Sequence, residues 1–310
     1  MIRHTWDRTA WQTARETHQQ RVQFWINDRV ERSLRNEKHP VYDFLFEYYT
    51  FRPSHLGRFS PGMGVLIQGV PAESLDWSTY YQPVDGGIAI TADTFPVKRL
   101  PLVRWGVRFL EQTLERPPVW HCFGLHEWAM VYRAMKGRHE QVPLRLSSDE
   151  IARLVEENQL CCTHFDAYRF FTPEAKPLNR MQLNRLSLND YDQPGCIHVN
   201  MDLYKWAFHL APFISSELIA DAFELAVAAR EVDMRASPYD LKQFGFEPIC
   251  IETKAGREEY VRNQRMISER GIPVRRRLLE AYRYIERGVT ALTSQLSIQG
   301  ATVFSTSINS

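Results

Sequence analysis

The chain is poor in cysteine, with five in 310 residues, and has no C-x-x-C pair. Cys122, Cys161, Cys162, Cys196 and Cys250 are an odd number in a chain long enough to fold without staples, so a disulfide framework is excluded and reduced thiols are expected. No apolar run approaches the roughly 20 residues that a bilayer span needs, which excludes a membrane-spanning helix and implies a soluble protein. Residues 1–8 hold no apolar stretch ahead of a small-residue cleavage site, so no secretory signal is expected and a cytoplasmic location follows. An excess of one charge is missing as well. With 38 Lys and Arg against 37 Asp and Glu, no global positive field announces nucleic acid as the partner. The phosphate-cradling G-x-x-x-x-G-K-[ST], the dinucleotide G-x-G-x-x-G and the nucleophile elbow G-x-S-x-G are all absent.

What is present is an ordinary globular composition, 44% hydrophobic and 24% charged, enough to bury a large core. The patterning predicts a mainly α fold: a single multi-helix domain with a loop-rich excursion and a few short strands. Residues 1–38 read as an N-terminal helix, stopped by His39-Pro40 because the residue before proline avoids the α region. Residues 39–293 read as the helical core domain. Within it, V-Y-D-F-L-F-E-Y-Y-T-F-R-P is an aromatic-rich helix ended at Pro53, and P-G-M-G and D-G-G make 57–96 the loop-rich excursion. S-S-D-E before Ile151 resembles a helix N-cap. Residues 198–210 and 215–235 are the most strongly patterned helices, and E-P-I-C-I-E-T resembles a short strand. Residues 256–292 read as two charged helices separated near Gly271-Ile272-Pro273, and 294–310 as a frayed tail.

The segment from His198 carries the most informative chemistry. On a helix of about 100° per residue, His198, Asp202, Lys205 and His209 form one stripe on an otherwise apolar surface. Such a stripe either edges into solvent or lines a pocket. The His–Asp spacing suits metal ligation or a carboxylate that orients an imidazole. Asp233, one turn from Arg230 at the margin of an apolar seam, is a half-buried acid with a structural or a catalytic reading. Glu217, Asp221, Glu224 and Glu231 read as a solvated acidic face. His126–Glu127 and His164–Asp166 add two further His–acid pairs. Together with His198 and Asp202 they form a candidate site for iron, manganese or zinc, although the Glu-x-x-His signature of helical di-iron bundles is missing. Tyr48, Tyr49, Phe165 and Tyr168, with Arg52 and Arg169 beside them, are core aromatics or the walls of a site for a planar ligand.

The strings H-P-V-Y-D-F-L-F-E-Y-Y, C-F-G-L-H-E-W-A-M-V-Y-R, C-T-H-F-D-A-Y-R-F-F-T, N-M-D-L-Y-K-W-A and D-M-R-A-S-P-Y-D-L resemble a bacterial family commonly labelled 3-methyladenine DNA glycosylase. The likeness spans residues 38–264. It implies a DNA-repair N-glycosylase that needs no cofactor and hydrolyses the glycosidic bond of alkylated purines such as 3-methyladenine, with alkylated DNA as its partner. Such an enzyme flips the base into an aromatic pocket, here Tyr48, Tyr49, Arg52, Phe165, Tyr168 and Arg169. It also needs a carboxylate to stabilise oxocarbenium character, for which Asp233 and Asp202 are the candidates, with His198 beside them. The helix–hairpin–helix of alkyl-base glycosylases is missing from the sequence. Arg275, Arg276 and Arg277 form its concentrated basic run. The alternative reading is a metal-dependent helical oxidase or hydrolase acting on a small molecule through His126, Glu127, His164, Asp166, His198 and Asp202. Both readings require the scattered imidazoles and acids to converge on one cavity.

Overall fold

The computed structural model describes residues 2–134 and 141–306, apart from the side chains of residues 187 and 296–306. In chain order the elements are β1 (His4–Trp6), α1 (Arg8–Leu34), α2 (Phe44–Glu47), α3 (Pro53–Leu56), β2 (Val65–Ile67), β3 (Gln82–Val84), β4 (Gly87–Ala89) and α4 (Leu100–Glu115). There follow α5 (Leu125–Ala129), α6 (Ser148–Glu157), α7 (Phe165–Tyr168), α8 (Leu188–Tyr191), α9 (Ile197–Met201), α10 (Leu203–His209), α11 (Ser216–Arg235) and α12 (Lys254–Thr306). The fold is mainly α, as the patterning predicts, with one contiguous hydrophobic core. No helix among the described residues is long and apolar enough to cross a membrane.

Helix starts are set by local chemistry. Asp7 accepts from the Ala10 N–H at 2.8 Å to open α1, and Ser215 caps α11. Ser147 and Glu150 form a reciprocal capping box at α6, which the S-S-D-E string anticipates. Helix α11 is the centre of the core because apolar residues surround most of it: Leu218, Ile219, Ala222, Phe223, Leu225 and Ala226 are all buried. Helix α12 packs along α4 and α11 and crosses α9. Two glycines allow that approach. A Cβ on Gly106 would stand 2.3 Å from the Tyr282 ring, and one on Gly271 would stand 2.1 Å from Asn200 Oδ1.

Several expectations are corrected, some of them where long-range packing overrides a local pattern. The N-terminal helix is preceded by β1, which pairs in parallel with β2 in a four-stranded sheet ordered β1-β2-β4-β3. The aromatic segment forms only the single turn of α2, and Pro53 opens α3 rather than ending a helix. The 198–210 helix bends at Asp202 into α9 and α10. The expected strand at E-P-I-C-I-E-T is irregular backbone and turn. Pro273 lies inside α12 without interrupting it. Its ring is exposed, so the Glu269 carbonyl that loses its N–H partner stays on the wet side, while Gly271 is held against Asn200. The expected frayed tail is helical as far as Thr306, and 307–310 lie outside the described residues.

The acidic row of α11 is also not a simple solvated face. Arg21 pairs with Asp221 at 2.7 Å and with Glu224 at 2.5 Å, Arg277 pairs with Glu217 and Asp221, and the Tyr42 hydroxyl donates to Glu231. This also removes part of the basic run from service as an anion surface. Arg275 is fully buried and donates to Asn200 Oδ1 at 2.9 Å, leaving Arg276 exposed.

Candidate functional site

Four short stretches bring the histidines together. Phe123 and Gly124 both take positive φ, which turns the chain so that α5 carries His126 and Glu127 inward. Helix α9 delivers His198, the residue before α7 is His164, and α11 supplies Arg230 and Asp233 one turn apart. The His126 and His198 ring centroids are 4.6 Å apart at 81°, and those of His198 and His164 are 5.6 Å apart at 12°. The three imidazoles that both sequence readings need together are therefore neighbours.

Asp233 is the hub. Its Oδ1 accepts from His126 Nε2 at 2.7 Å, its Oδ2 accepts from Arg230 NH1 at 2.9 Å, and His198 Nε2 stands 3.6 Å from the same Oδ2. The same Arg230 nitrogen reaches Glu127 Oε1 at 3.3 Å. Burial disfavours the charge on Asp233, but His198, His126 and Arg230 outweigh it and hold the carboxyl well below the usual range. Burial likewise opposes a charge on His126, yet Asp233 and Cys122 raise its pKa well above the ordinary value. Its Nδ1 is 3.2 Å from Cys122 Sγ, so both ring nitrogens are engaged. His198 goes the other way. Burial, reinforced by the neighbouring His126, His164 and Arg230 charges, lowers its pKa to about 3 against the pull of Asp233, and it stays neutral.

A second cluster adjoins the first through His164. Its Nδ1 contacts Asp192 Oδ1 at 3.1 Å, and its Nε2 faces Asp202 Oδ2 at 3.9 Å. Asp202 accepts from the Tyr49 hydroxyl at 2.8 Å and from Lys205 Nζ at 2.7 Å; Lys205 also reaches Asp166 at 3.3 Å. Burial would raise the Asp202 pKa, but Lys205 and His164 lower it. Asp166 is further paired with Arg169 Nε at 3.2 Å.

Beside both clusters lies a pocket of about 220 Å³ lined by Phe44, Tyr48, Met130, Ala167 and Phe170, with Glu127, Asp166, His198 and Arg230 as its polar surface. Phe44 and Tyr48 are stacked at 4.7 Å, Arg230 covers the Phe44 ring at 4.1 Å and Arg169 covers Phe170 at 4.4 Å. The walls are thus pinned by guanidinium groups.

Of the residues singled out in the sequence, Tyr48, Glu127, Asp166 and His198 line this pocket. His126, Asp233 and Asp202 lie behind it, Tyr49 is buried against Asp202, and Arg169 stands at its aromatic wall. Arg52 stands elsewhere, in a groove with Arg29 and Phe46, Tyr168 turns to Gln182 at 2.7 Å, and Phe165 packs against the core. Asp192 and Met130 carry no local sequence signal: Asp192 meets His164 across 28 residues of chain. Among the described residues, two groups of donors are compact enough to hold an ion. One nitrogen or oxygen from each of His126, Glu127, His198 and Asp233 lies within 4.8 Å of the others, and the same holds for His164, Asp166 and Asp202. Compared with protein-family models, curated proteins and solved structures, the chain matches none.

Proposed function

We propose that the protein is a metal-dependent enzyme acting on a small molecule, with one ion held by His126, Glu127, His198 and Asp233. The observation that carries this reading is the gathering of these four donors within 4.8 Å, two of them on the wall of an aromatic-sided pocket. Two imidazoles and two carboxylates suit iron, manganese or zinc, and the Cys122 contact behind His126 has the character of an outer partner that fixes a ligand ring. Glu127 and Asp233 carry two negative charges and Arg230 one positive. A divalent ion would leave the centre positive by one, which favours a metal-bound hydroxide or an anionic group on the substrate. The ion would supply Lewis acidity or redox chemistry. Asp166, tied to Lys205 and Arg169 across the pocket, would hold a substrate donor. The pocket volume suits a ligand smaller than a typical drug. A cytoplasmic setting would keep the five thiols reduced.

The base-excision reading implied by the sequence resemblance draws on the same aromatic walls. It needs a carboxylate that faces the sugar in the pocket, whereas neither Asp233 nor Asp202 lines it, while Glu127 and His198 of the metal donor set do. For that reason the metal-dependent reading is preferred. Elemental analysis tests it. Protein purified without added metal and then reconstituted should carry about one equivalent of iron, manganese or zinc, and under about a tenth of an equivalent would overturn the proposal. Release of methylated adenine from alkylated duplex DNA by the metal-free protein would instead support base excision.

A further inference from the structure

Helix α12 carries Lys254, Arg257, Arg262 and Arg265 around an open groove of about 550 Å³, with Phe123, Val261 and Glu258 completing its lining. Lys254, Arg262 and Arg265 are exposed, and Arg257 is half-buried with NH1 donating to the Ile251 carbonyl at 3.1 Å. Arg265 lies over the Trp120 ring at 5.1 Å. Among the described residues, none of these four cations is in an ion pair. Arg21, Arg145 and Arg277, by contrast, are each matched to carboxylates. Four cations against the single carboxylate of Glu258 leave this face with a net local positive potential that an anion relieves.

The spacing indicates which anion. From Lys254 to Arg265 the helix rises about 16 Å. A single carboxylate would engage one or two of these groups, whereas several phosphates in a row would engage all four, and guanidinium forks pair bidentately with phosphate oxygens. Trp120 and Phe123, both half-buried, put flat apolar surface at the groove's edge. We propose that this groove binds an oligophosphate, either an inorganic chain or the triphosphate of a nucleotide. The site is a binding rather than a reacting one, because its lining offers one acid, Glu258, and no imidazole or thiol. It stands apart from the His126 centre and does not depend on a metal being bound there.

Calorimetric titration of the full chain, in low-salt buffer with EDTA, should use tripolyphosphate, ATP, adenosine and a short single-stranded oligonucleotide as probes. Tripolyphosphate and ATP are expected to bind. The exposed double variant Arg262→Glu/Arg265→Glu should weaken both by about tenfold or more. Arg270→Glu/Arg276→Glu, with the same change in net charge on exposed residues of the same helix outside the groove, should stay within about twofold. Equal affinity for the two ligands identifies the phosphate chain alone as the ligand. Tighter ATP binding that Trp120→Ala returns to the tripolyphosphate level identifies a nucleotide. Absence of binding by both at millimolar concentration, equal losses in the two double variants, or binding confined to the oligonucleotide would each overturn the proposal.

Discussion

Two clusters of the same residue types lie side by side, joined by the stacked rings of His164 and His198, and they differ in the cation that each already contains. In the His164 cluster the ammonium of Lys205 sits between Asp202 and Asp166, at 2.7 and 3.3 Å, in the place a divalent ion would take. In the His126–His198 cluster one nitrogen of the Arg230 guanidinium reaches both carboxylates, at 2.9 and 3.3 Å, and the group lies 4.1 Å over the Phe44 ring. This cluster also holds a neutral imidazole, His198, at the pocket wall. Residue identity alone therefore does not separate a metal centre from an ion-pair network. The resident cation, ammonium in one and guanidinium in the other, and the neutral imidazole beside the second do.

The largest effect that would sharpen this contrast is on stability. Asp233→Ala removes the carboxylate that Arg230 and His126 share, leaving Arg230 with Glu127 alone and His126 with Cys122, and should cost about 3–5 kcal/mol in chemical denaturation. A loss below about 1 kcal/mol would mean that Asp233 is not the hub. The next effect is on ion affinity. His198→Ala should weaken binding of manganese or zinc by about a hundredfold, whereas His164→Ala, acting from outside the donor set, should weaken it by about tenfold. Equal losses in the two variants would merge the clusters into one site and break the comparison.

The fold was legible where a pattern is long and self-consistent. A long stretch free of Gly and Pro marks α1, apolar residues at helical spacing mark α11, and a capping string marks α6. It was illegible where a distant partner decides: β1 exists because β2 pairs with it, α12 runs through Pro273 because both flanks are packed, and the aromatic segment coils because its rings are claimed by Tyr204, Phe208 and Phe223. The site divides the same way. Histidines beside acids on apolar segments point to His126, His164 and His198, since a buried imidazole needs a partner. Nothing local shows that Asp192 will orient His164, or that Lys205 will turn from its stripe into the gap between two aspartates.

The smallest expected effect comes from a pair outside both clusters, and it sets the scale for an ordinary half-buried ion pair. Burial alone would raise the Glu252 pKa, but Arg145, at 2.8 Å, lowers it. Because the folded value lies below the unfolded one, this pair's contribution is present above the ordinary carboxylate range near 4.5 and is lost as pH falls through the lowered folded value. Glu252→Gln should therefore flatten the acid limb of stability against pH by about 1 kcal/mol or less after solvent screening. A larger change would show that surface pairs, and not the two clusters, dominate acid sensitivity.

X-ray absorption at the metal edge of reconstituted protein reads the central claim most directly. The account predicts a first shell of oxygen and nitrogen at about 2.0–2.2 Å with the outer scattering of two imidazoles, reduced to one in His198→Ala. An all-oxygen shell, or a shell unchanged by that substitution, would contradict it.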